Sequence, residues 1–140
     1  MTNKLVHLTS LKRIRVKGGD VFHALKNNED DFKGFGEAYF TSINYNYIKA
    51  WKRHSAMTLN LVVPYGNVQF VVIETNDRPF NSYEIGQSSY KRLTIPPGII
   101  FGFKGLSKPY SLVLNLANIP HIKDEVETFP PDNFDLTTFK

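Results

Sequence analysis

Residues 59–74 read LNLVVPYGNVQFVVIE, and this stretch decides the fold class. Two runs rich in valine and isoleucine, Leu59–Val63 and Val68–Glu74, flank a Pro-Tyr-Gly-Asn turn in which proline is placed to start the turn. Each run is shorter than a typical helix and is bounded by turn residues, as buried strands are. The stretch therefore predicts a strand, a tight turn and a return strand, which together make a hairpin.

The rest of the chain repeats this pattern of short runs separated by glycine and proline. Strands are predicted over Val6–Val16, Glu37–Ile48, Tyr90–Ile95, Ile99–Phe103 and Ser111–Asn118. Turns are predicted at Gly18-Gly19-Asp20, in the polar loop 27–31 that Gly34 and Gly36 close, at 76–79, at Pro96-Pro97-Gly98 and at Pro120. A weak helical pattern covers Val21–Asn27, and the tail from Pro130 onward has no periodicity. Short strands roughly every 8–12 residues predict one all-β domain over 1–140, a sandwich, barrel or jelly roll.

Composition excludes several classes of protein and of site. The 140 residues are 41% hydrophobic and 14% aromatic, which is enough for a packed core. The absence of cysteine removes disulfides, thiolate metal sites and cysteine nucleophiles. No apolar run approaches the ~18 residues of a membrane-spanning helix, and residues 1–20 lack the apolar centre of a secretory signal. We expect a soluble cytoplasmic domain.

The net charge of +4 is spread unevenly along the chain. Ten of the seventeen basic residues lie between Lys4 and Arg53, whereas five of the thirteen acids lie between Asp124 and Asp135. This asymmetry is compatible with an anionic partner, but a nucleic-acid-binding protein usually has a denser basic stripe. A phosphate-bearing small molecule is equally compatible with this modest excess of positive charge. We expect neither nucleic acid nor a membrane as partner.

Common catalytic and cofactor motifs are missing from the sequence. It contains no phosphate-binding glycine loop, no serine nucleophile elbow and no paired-histidine metal motif. The four histidines, His7, His23, His54 and His121, are so far apart that a metal site would need long-range convergence. We expect neither a metal nor another cofactor.

The segment Ile43–His54, INYNYIKAWKRH, combines two tyrosines, three cations, a tryptophan and a histidine. Histidine ionises near neutral pH, tyrosine can donate a proton, and lysine or arginine can hold a phosphate. The segment therefore suits proton transfer beside an anionic ligand. The same residues also fit an ordinary edge strand with amphipathic aromatics and a solvated basic cluster, so the residues alone leave both interpretations open.

A second segment, Tyr90–Phe103, indicates a strand, a Pro-Gly turn and a return strand that packs isoleucine and phenylalanine into a core. Together with residues 54–72, Leu106-Ser107 and Asn118-Ile119-Pro120-His121, it resembles the dTDP-4-dehydrorhamnose 3,5-epimerase family of the cupin superfamily. The resemblance is greatest to the short epimerase-like branch found among bacterial surface-polysaccharide proteins, and it covers Phe35 to Glu125.

The resemblance implies a cupin-type jelly roll, usually a homodimer, that binds a nucleotide-linked 4-keto sugar in the barrel mouth without a metal. In the family a histidine removes the proton alpha to the ketone, and a tyrosine on a later strand returns a proton to the other face. His54 falls at the position of the base. Lys49, Lys52 and Arg53 would stabilise the enolate or hold the diphosphate. Family dimers commonly pair through an amino-terminal strand, for which Leu5–Val16 is the candidate.

Three departures from the family pattern affect the residues of the predicted site. Trp51-Lys52-Arg53 replaces the Arg-Gly-Leu that precedes the base. Phe101 occupies the position of the family's second histidine, and Leu114 occupies the position of its acid tyrosine. A different proton donor is therefore needed, and the spacing does not choose among the candidates Tyr45, Tyr47 and Tyr90.

The remaining site residues are assigned from strand alternation and from their neighbours. Adjacent strand residues point to opposite faces, so Lys52 shares a face with His54 and Arg53 does not. Glu37 or Glu74 would orient His54 if it faced the barrel, and otherwise faces solvent. The predicted catalytic set is His54, Tyr47 and Tyr45, and the predicted substrate-binding set is Lys52, Arg53, Lys49, Trp51, Asn44, Glu37 and His121.

The expected function is that of an isomerase or epimerase. It would abstract a proton alpha to the ketone of a nucleotide-activated 4-keto-deoxy sugar, in bacterial surface-polysaccharide (lipopolysaccharide) biosynthesis. One alternative is a catalytically silent sugar-nucleotide-binding cupin. Another is a sugar 3,4-ketoisomerase, a group that uses a His-x-His arrangement of which residues 52–56 supply one histidine. A structural interaction domain would instead fill the barrel with apolar side chains.

Overall fold

The computed structural model of the chain describes residues 5–74 and 80–140, so the predicted turn at 76–79 lies outside the described residues. Within these ranges the chain forms twelve strands and three one-turn 3-10 helices, Lys123–Glu125, Pro131–Asn133 and Leu136–Thr138. The strands are β1 (His7–Ser10), β2 (Arg13–Ile14), β3 (Val21–Phe22), β4 (Glu37–Asn44), β5 (Ile48–His54), β6 (Leu59–Tyr65), β7 (Asn67–Ile73), β8 (Asn81–Gly86), β9 (Lys91–Ile95), β10 (Ile100–Gly105), β11 (Tyr110–Ala117) and β12 (Val126–Thr128). No helix in the described part of the chain is long and apolar enough to cross a membrane.

Ten of these strands form two antiparallel sheets that enclose the main core. The first sheet has the order β1-β9-β6-β11-β4 and the second the order β12-β5-β10-β7-β8, while β2 and β3 form a separate hairpin. From β4 to β11 the chain changes sheet at every step except between β7 and β8. This alternation is the topology of a jelly roll, and it confirms the all-β prediction.

The stretch 59–74 forms two strands, but the predicted hairpin is wrong. β6 pairs with β9 and β11, whereas β7 pairs with β8 and β10 in the other sheet. The chain crosses between the sheets at Gly66, where φ is +82° and a β-carbon would collide with Ser111 Oγ. Both strands are buried on both faces, so stacking in separate sheets covers more of their apolar surface than pairing side by side would. The predicted turn at Pro96-Pro97-Gly98 likewise joins strands of different sheets.

The amino-terminal third differs from the prediction in its boundaries. Val6–Val16 is two strands rather than one, and Val21–Asn27 contains β3 instead of a helix. The predicted turn at Gly18-Gly19-Asp20 explains the difference, because Asp20 accepts hydrogen bonds from Arg13 Nε (2.9 Å) and Val16 N (3.1 Å). These bonds close the β2–β3 hairpin and draw Val21 and Phe22 into a strand.

Residues 23–35 cover part of the outer face of the first sheet. Arg92 of β9 is fully buried beneath them and donates hydrogen bonds to Ala24 O (2.6 Å), Glu29 Oε1 (2.9 Å) and Asp31 Oδ2 (3.1 Å). Burial alone would raise the pKa of Asp31, but hydrogen bonds from Arg92 and His7 outweigh it and hold that pKa below its ordinary value. The covering segment is thus fastened by a carboxylate that stays charged at neutral pH.

The tail that lacked periodicity covers the outer face of the second sheet. Trp51, Val71 and Phe139 form a second buried apolar cluster there. Trp51 also donates a hydrogen bond from Nε1 to Pro131 O (3.0 Å), and its ring lies 5.5 Å from that of Phe139. The one-turn helices Pro131–Asn133 and Leu136–Thr138 contribute contacts to this cluster, which explains why no strand or helix period marks the segment.

Removal of the Phe139 side chain should test this packing. Because Phe139 is 6% exposed, we expect Phe139→Ala to lower the free energy of unfolding by about 3 kcal/mol. Urea denaturation followed by the fluorescence of Trp51 gives the value. Phe35→Ala, at a side chain that is 69% exposed, is the matched control and should change it by less than about 0.5 kcal/mol. Equal effects of the two substitutions would contradict the packing described.

Candidate functional site

A cavity of about 380 Å³ lies between the two sheets. Its buried lining is mostly apolar and includes the polar side chains of His54 and Asn115; the apolar members are Trp51, Leu59, Leu61, Phe70, Phe101 and Val113. Its exposed rim carries Lys49, Lys52, His121 and Thr128. The space is therefore not filled by apolar side chains, as a purely structural domain would require. It combines a mostly apolar interior, which carries two polar side chains, with a cationic rim.

His54 ends β5 at the wall of this cavity and is paired with Glu125. The distance from His54 Nδ1 to Glu125 Oε1 is 2.7 Å, and the two residues are 6% and 8% exposed. The other carboxylate oxygen of Glu125 accepts from the backbone N–H groups of Ala56 (2.8 Å) and Met57 (2.7 Å). Because these backbone donors hold the Glu125 carboxylate in place, its hydrogen bond with Nδ1 holds the His54 imidazole in one orientation.

The charge of Glu125 sets the tautomer of this histidine. Burial alone would raise the pKa of Glu125, but the hydrogen bonds from His54, Ala56 and Met57 outweigh it and hold that pKa below its ordinary value. Glu125 is thus an acceptor at neutral pH, which assigns the proton of a neutral His54 to Nδ1. The other ring nitrogen, Nε2, carries a lone pair and has no hydrogen-bond partner among the described residues.

The backbone around the pair is fastened from two directions. Gly98 N, in the turn between β9 and β10, donates to His54 O (2.7 Å), and Ser55 N donates to Glu125 O (2.9 Å). β12 pairs with β5 directly after Glu125, with Val126 opposite His54. Segments that are distant in sequence therefore position the pair.

Neither carboxylate predicted to orient His54 does so. Glu37 accepts from the backbone N of His121 (3.0 Å), and Glu74 accepts from Val6 N (3.1 Å) and Asn81 Nδ2 (2.8 Å). Glu125 takes the role instead, although 71 residues separate it from His54. Glu125 lies in an acidic run of the sequence, and such a run does not indicate that one of its side chains is buried.

The tyrosines predicted as proton donors do not line the cavity. Tyr45 is 41% exposed beside Lys108, and Tyr47 is 60% exposed beyond the end of β4. Tyr90 donates from its hydroxyl to His23 O (2.8 Å) at the amino-terminal hairpin. Tyr39 of β4, which the sequence did not single out, lines the cavity, and its hydroxyl oxygen accepts from Asn115 Nδ2 (3.0 Å).

The predicted cations divide between the two faces of β5. Lys52 and Lys49 line the cavity, and Lys49 Nζ donates to Ser42 O (2.9 Å). Arg53 faces the other way, where its Nε donates to Glu127 (2.8 Å) and its guanidinium lies 5.4 Å from the ring of Phe129. The structure therefore brings Lys52 to His54 and leaves Arg53 outside the cavity.

Three other predicted residues occupy different positions. His121 lies at the cavity rim. Trp51 borders the cavity but is fully buried, and it packs in the second apolar cluster. Asn44 lies with Tyr47 in a neighbouring depression outside the main cavity. Among residues 5–74 and 80–140, no three His, Asp or Glu side chains lie close enough together to hold a metal ion.

No protein-family model and no curated protein matches the chain. Solved structures do match it. A dTDP sugar isomerase from Desulfovibrio desulfuricans G20 is 34% identical and superimposes with a TM-score of 0.85. That match covers 91% of this chain and 85% of the other.

Two further structures share the fold at lower identity. A dTDP-4-dehydrorhamnose 3,5-epimerase from Bacillus anthracis str. Ames is 15% identical, with a TM-score of 0.77 over 91% of this chain and 79% of that one. A sugar 3,4-ketoisomerase from Thermoanaerobacterium thermosaccharolyticum is 16% identical, with a TM-score of 0.73 over 87% of this chain and 86% of that one. At these identities the likeness shows the fold alone, which is the cupin-type jelly roll that the family resemblance implied.

Replacement of the buried carboxylate should change the pH dependence of stability. The pKa of Glu125 is lowered in the folded state, so its contribution is present above the ordinary carboxyl pKa and is lost as the pH falls through the lowered value. We expect Glu125→Gln to lower the free energy of unfolding by about 2 kcal/mol at pH 7, with the difference from wild type shrinking below pH ~4. Urea denaturation between pH 7 and pH 3 measures both.

Glu127→Gln is the control for this experiment, because Glu127 lies on the neighbouring strand but its side chain is 57% exposed. It should change stability by less than about 1 kcal/mol at any pH. A difference between Glu125→Gln and wild type that stays constant down to pH 3 would contradict the assignment of a buried charge.

Proposed function

Because the chain belongs to the dTDP-4-dehydrorhamnose 3,5-epimerase-like family of the cupin superfamily, we propose that it is an enzyme that isomerises a nucleotide-activated 4-keto-deoxy sugar. The observation that carries the proposal is the buried His54–Glu125 pair at the wall of the cavity. A protein that only binds its ligand does not need an imidazole with one nitrogen fixed by a carboxylate and the other without a partner among the residues that the structure describes. We place the reaction in the cytoplasm, in the synthesis of bacterial surface polysaccharide.

The first step is proton abstraction by His54. Nε2 takes the proton from the carbon next to the ketone, the electrons of that C–H bond form a carbon–carbon double bond, and the ketone oxygen becomes an enolate oxygen. Glu125 stabilises the imidazolium that forms, because its carboxylate already accepts from Nδ1 at 2.7 Å. The ammonium groups of Lys52 and Lys49 at the cavity rim supply positive charge for the enolate or for the diphosphate.

The second step is return of a proton by Tyr39. His54 belongs to the second sheet and Tyr39 to the first, so the two side chains approach the cavity from opposite walls. A proton delivered from the wall opposite the base reaches the other face of the planar enolate, which inverts the carbon. The phenolate left on Tyr39 then takes up a proton from solvent, and the His54 imidazolium releases to solvent the proton that it abstracted, which restores both groups.

Incorporation of solvent deuterium tests the base. The substrate is TDP-4-keto-6-deoxyglucose, the sugar nucleotide held by a variant of the structurally similar ketoisomerase. In D₂O we expect wild-type protein to place deuterium at C3 or C5, observed by NMR. His54→Asn should slow incorporation by about 10²–10⁴-fold, the usual contribution of a general base. A 3-keto product instead of an epimer would assign the ketoisomerase reaction.

His23→Asn is the matched control, because His23 lies at the amino-terminal hairpin and not at the cavity. It should leave the rate of incorporation unchanged. If wild-type protein binds the sugar nucleotide in calorimetry but incorporates no deuterium, the protein is a silent sugar-nucleotide-binding cupin and the proposed reaction is wrong.

We also propose that the protein is a homodimer, which the apolar side chains on the outer face of its first sheet support. Leu112, Leu114 and Leu116 of β11 alternate with residues that face the core, so they point away from it. Phe40, which is 62% exposed, lies beside Leu114 on the edge strand β4. The three leucine side chains are half-buried within the single chain. An apolar patch without charge is self-complementary, as a two-fold interface requires.

Disruption of this patch should yield a monomer. We expect size-exclusion chromatography with light scattering to give twice the chain mass of 16.0 kDa for wild type and a single chain mass for Leu114→Glu. Val16→Glu is the comparison, since Val16 is 49% exposed in the amino-terminal segment that the family resemblance implicates. Dissociation by Val16→Glu but not by Leu114→Glu would place the interface at that segment instead.

A further inference from the structure

Asn115 and Tyr39 face each other on neighbouring strands inside the site. They are register partners on β11 and β4, and both line the cavity. Asn115 is 3% exposed, and its Nδ2 lies 3.0 Å from the Tyr39 hydroxyl oxygen. A buried side-chain amide this close to a cavity tyrosine controls how that tyrosine uses its own proton.

The direction of the hydrogen bond is fixed by a third group. The backbone N–H of Asn60 points at the Asn115 side chain at 3.2 Å, and an N–H can only donate. The atom facing it is therefore the carbonyl oxygen, Oδ1, which turns the amide NH₂ toward Tyr39. The NH₂ group also contacts Met57 Sδ at 3.7 Å, so both of its N–H bonds have a partner.

Asn60 is itself held in place, which makes this orientation rigid. Asn60 is 2% exposed. Its Oδ1 accepts from Thr94 Oγ1 (2.7 Å), and its Nδ2 donates to Asp31 O (3.0 Å). To flip the Asn115 amide would place two donors against each other at Asn60 and leave a buried group unsatisfied.

The Tyr39 oxygen is therefore an acceptor toward Asn115, and its hydroxyl proton must point elsewhere. Among the described residues no carbonyl or carboxylate accepts that proton. From these contacts we infer that Asn115 is a positioning residue, which directs the proton of Tyr39 into the cavity toward the substrate carbon. This inference rests on the proposed function and adds to it the group that prepares the acid.

Asn115→Asp tests the inference with little change of shape. The aspartate keeps an acceptor for Asn60 N but replaces the donor toward Tyr39 with a second acceptor, which captures the hydroxyl proton. In D₂O we expect inverted product to form about 10²-fold more slowly, while deuterium still enters the recovered substrate within a few-fold of the wild-type rate. Tyr39→Phe should give the same pattern, because His54 can remove and return a proton on its own face.

Measuring deuterium exchange and inversion separately distinguishes a positioning role of Asn115 from a purely structural one. If Asn115 only supports the fold, Asn115→Asp lowers exchange and inversion together, or lowers neither, and either result overturns the inference. Asn115→Ala is the control for an effect that comes only from the introduced aspartate. It should slow inversion less than Asn115→Asp does, because it frees the hydroxyl without capturing its proton.

A second measurement does not depend on turnover, so it distinguishes failure of this inference from failure of the proposed function. Protein labelled with ¹³C-tyrosine allows the Tyr39 hydroxyl proton to be sought by NMR. We expect a resonance in slow exchange with water in Asn115→Asp and none in wild type. A slowly exchanging proton in wild type, or identical spectra, overturns the inference whether or not the sugar nucleotide is turned over.

Discussion

The buried carboxylate of Glu125 connects the closure of the second sheet with the chemistry of the site. A carboxylate is costly to bury without partners, and this one accepts from His54 Nδ1 and from the backbone N–H groups of Ala56 and Met57. These donors lie at and just after the end of β5, whereas Glu125 directly precedes β12. Satisfying the charge therefore holds β12 beside β5 and leads the following tail onto Trp51. The same contacts fix the tautomer of His54, so the fold cannot close correctly without also orienting this imidazole.

A second constraint is that several strands are apolar on both faces and need cover on each side. The two sheets bury their inner faces against each other around the main core. On the outside, the carboxyl-terminal tail covers Trp51 and Val71, and residues 23–35 cover the first sheet around the buried Arg92. The leucines of β11 point to the outer face of the first sheet, where their side chains are half-buried within the single chain. The segments that lack regular structure thus have a definite role, which is to cover sheet faces.

The sequence predicts the strands well because their composition is a local property, but it does not predict which strands pair. Residues 59–74 look the same whether the second strand pairs with the first or crosses to the other sheet. Alternation places Lys52 with His54, yet it would put Lys49 on the opposite face. A register shift opposite Trp51, between Phe101 and Gly102, accounts for both lysines lining one cavity. Glu125 could not be found because its role depends on a contact across 71 residues.

Tyr39 shows how a site can be missed inside a correctly predicted strand. Strict alternation over the predicted strand Glu37–Ile48 gives Tyr39, Tyr45 and Tyr47 the same face, but β4 ends at Asn44 and the chain turns at Asn46, where φ is +65°. Tyr39 alone of the three therefore lines the cavity. In the proposed reaction the position of Tyr39 determines the stereochemistry, because the two sheets of a jelly roll face each other across the cavity. A base on β5 and an acid on β4 meet opposite faces of a planar enolate, which favours inversion at one carbon. Transfer of a proton between neighbouring carbons on one face would need only the base.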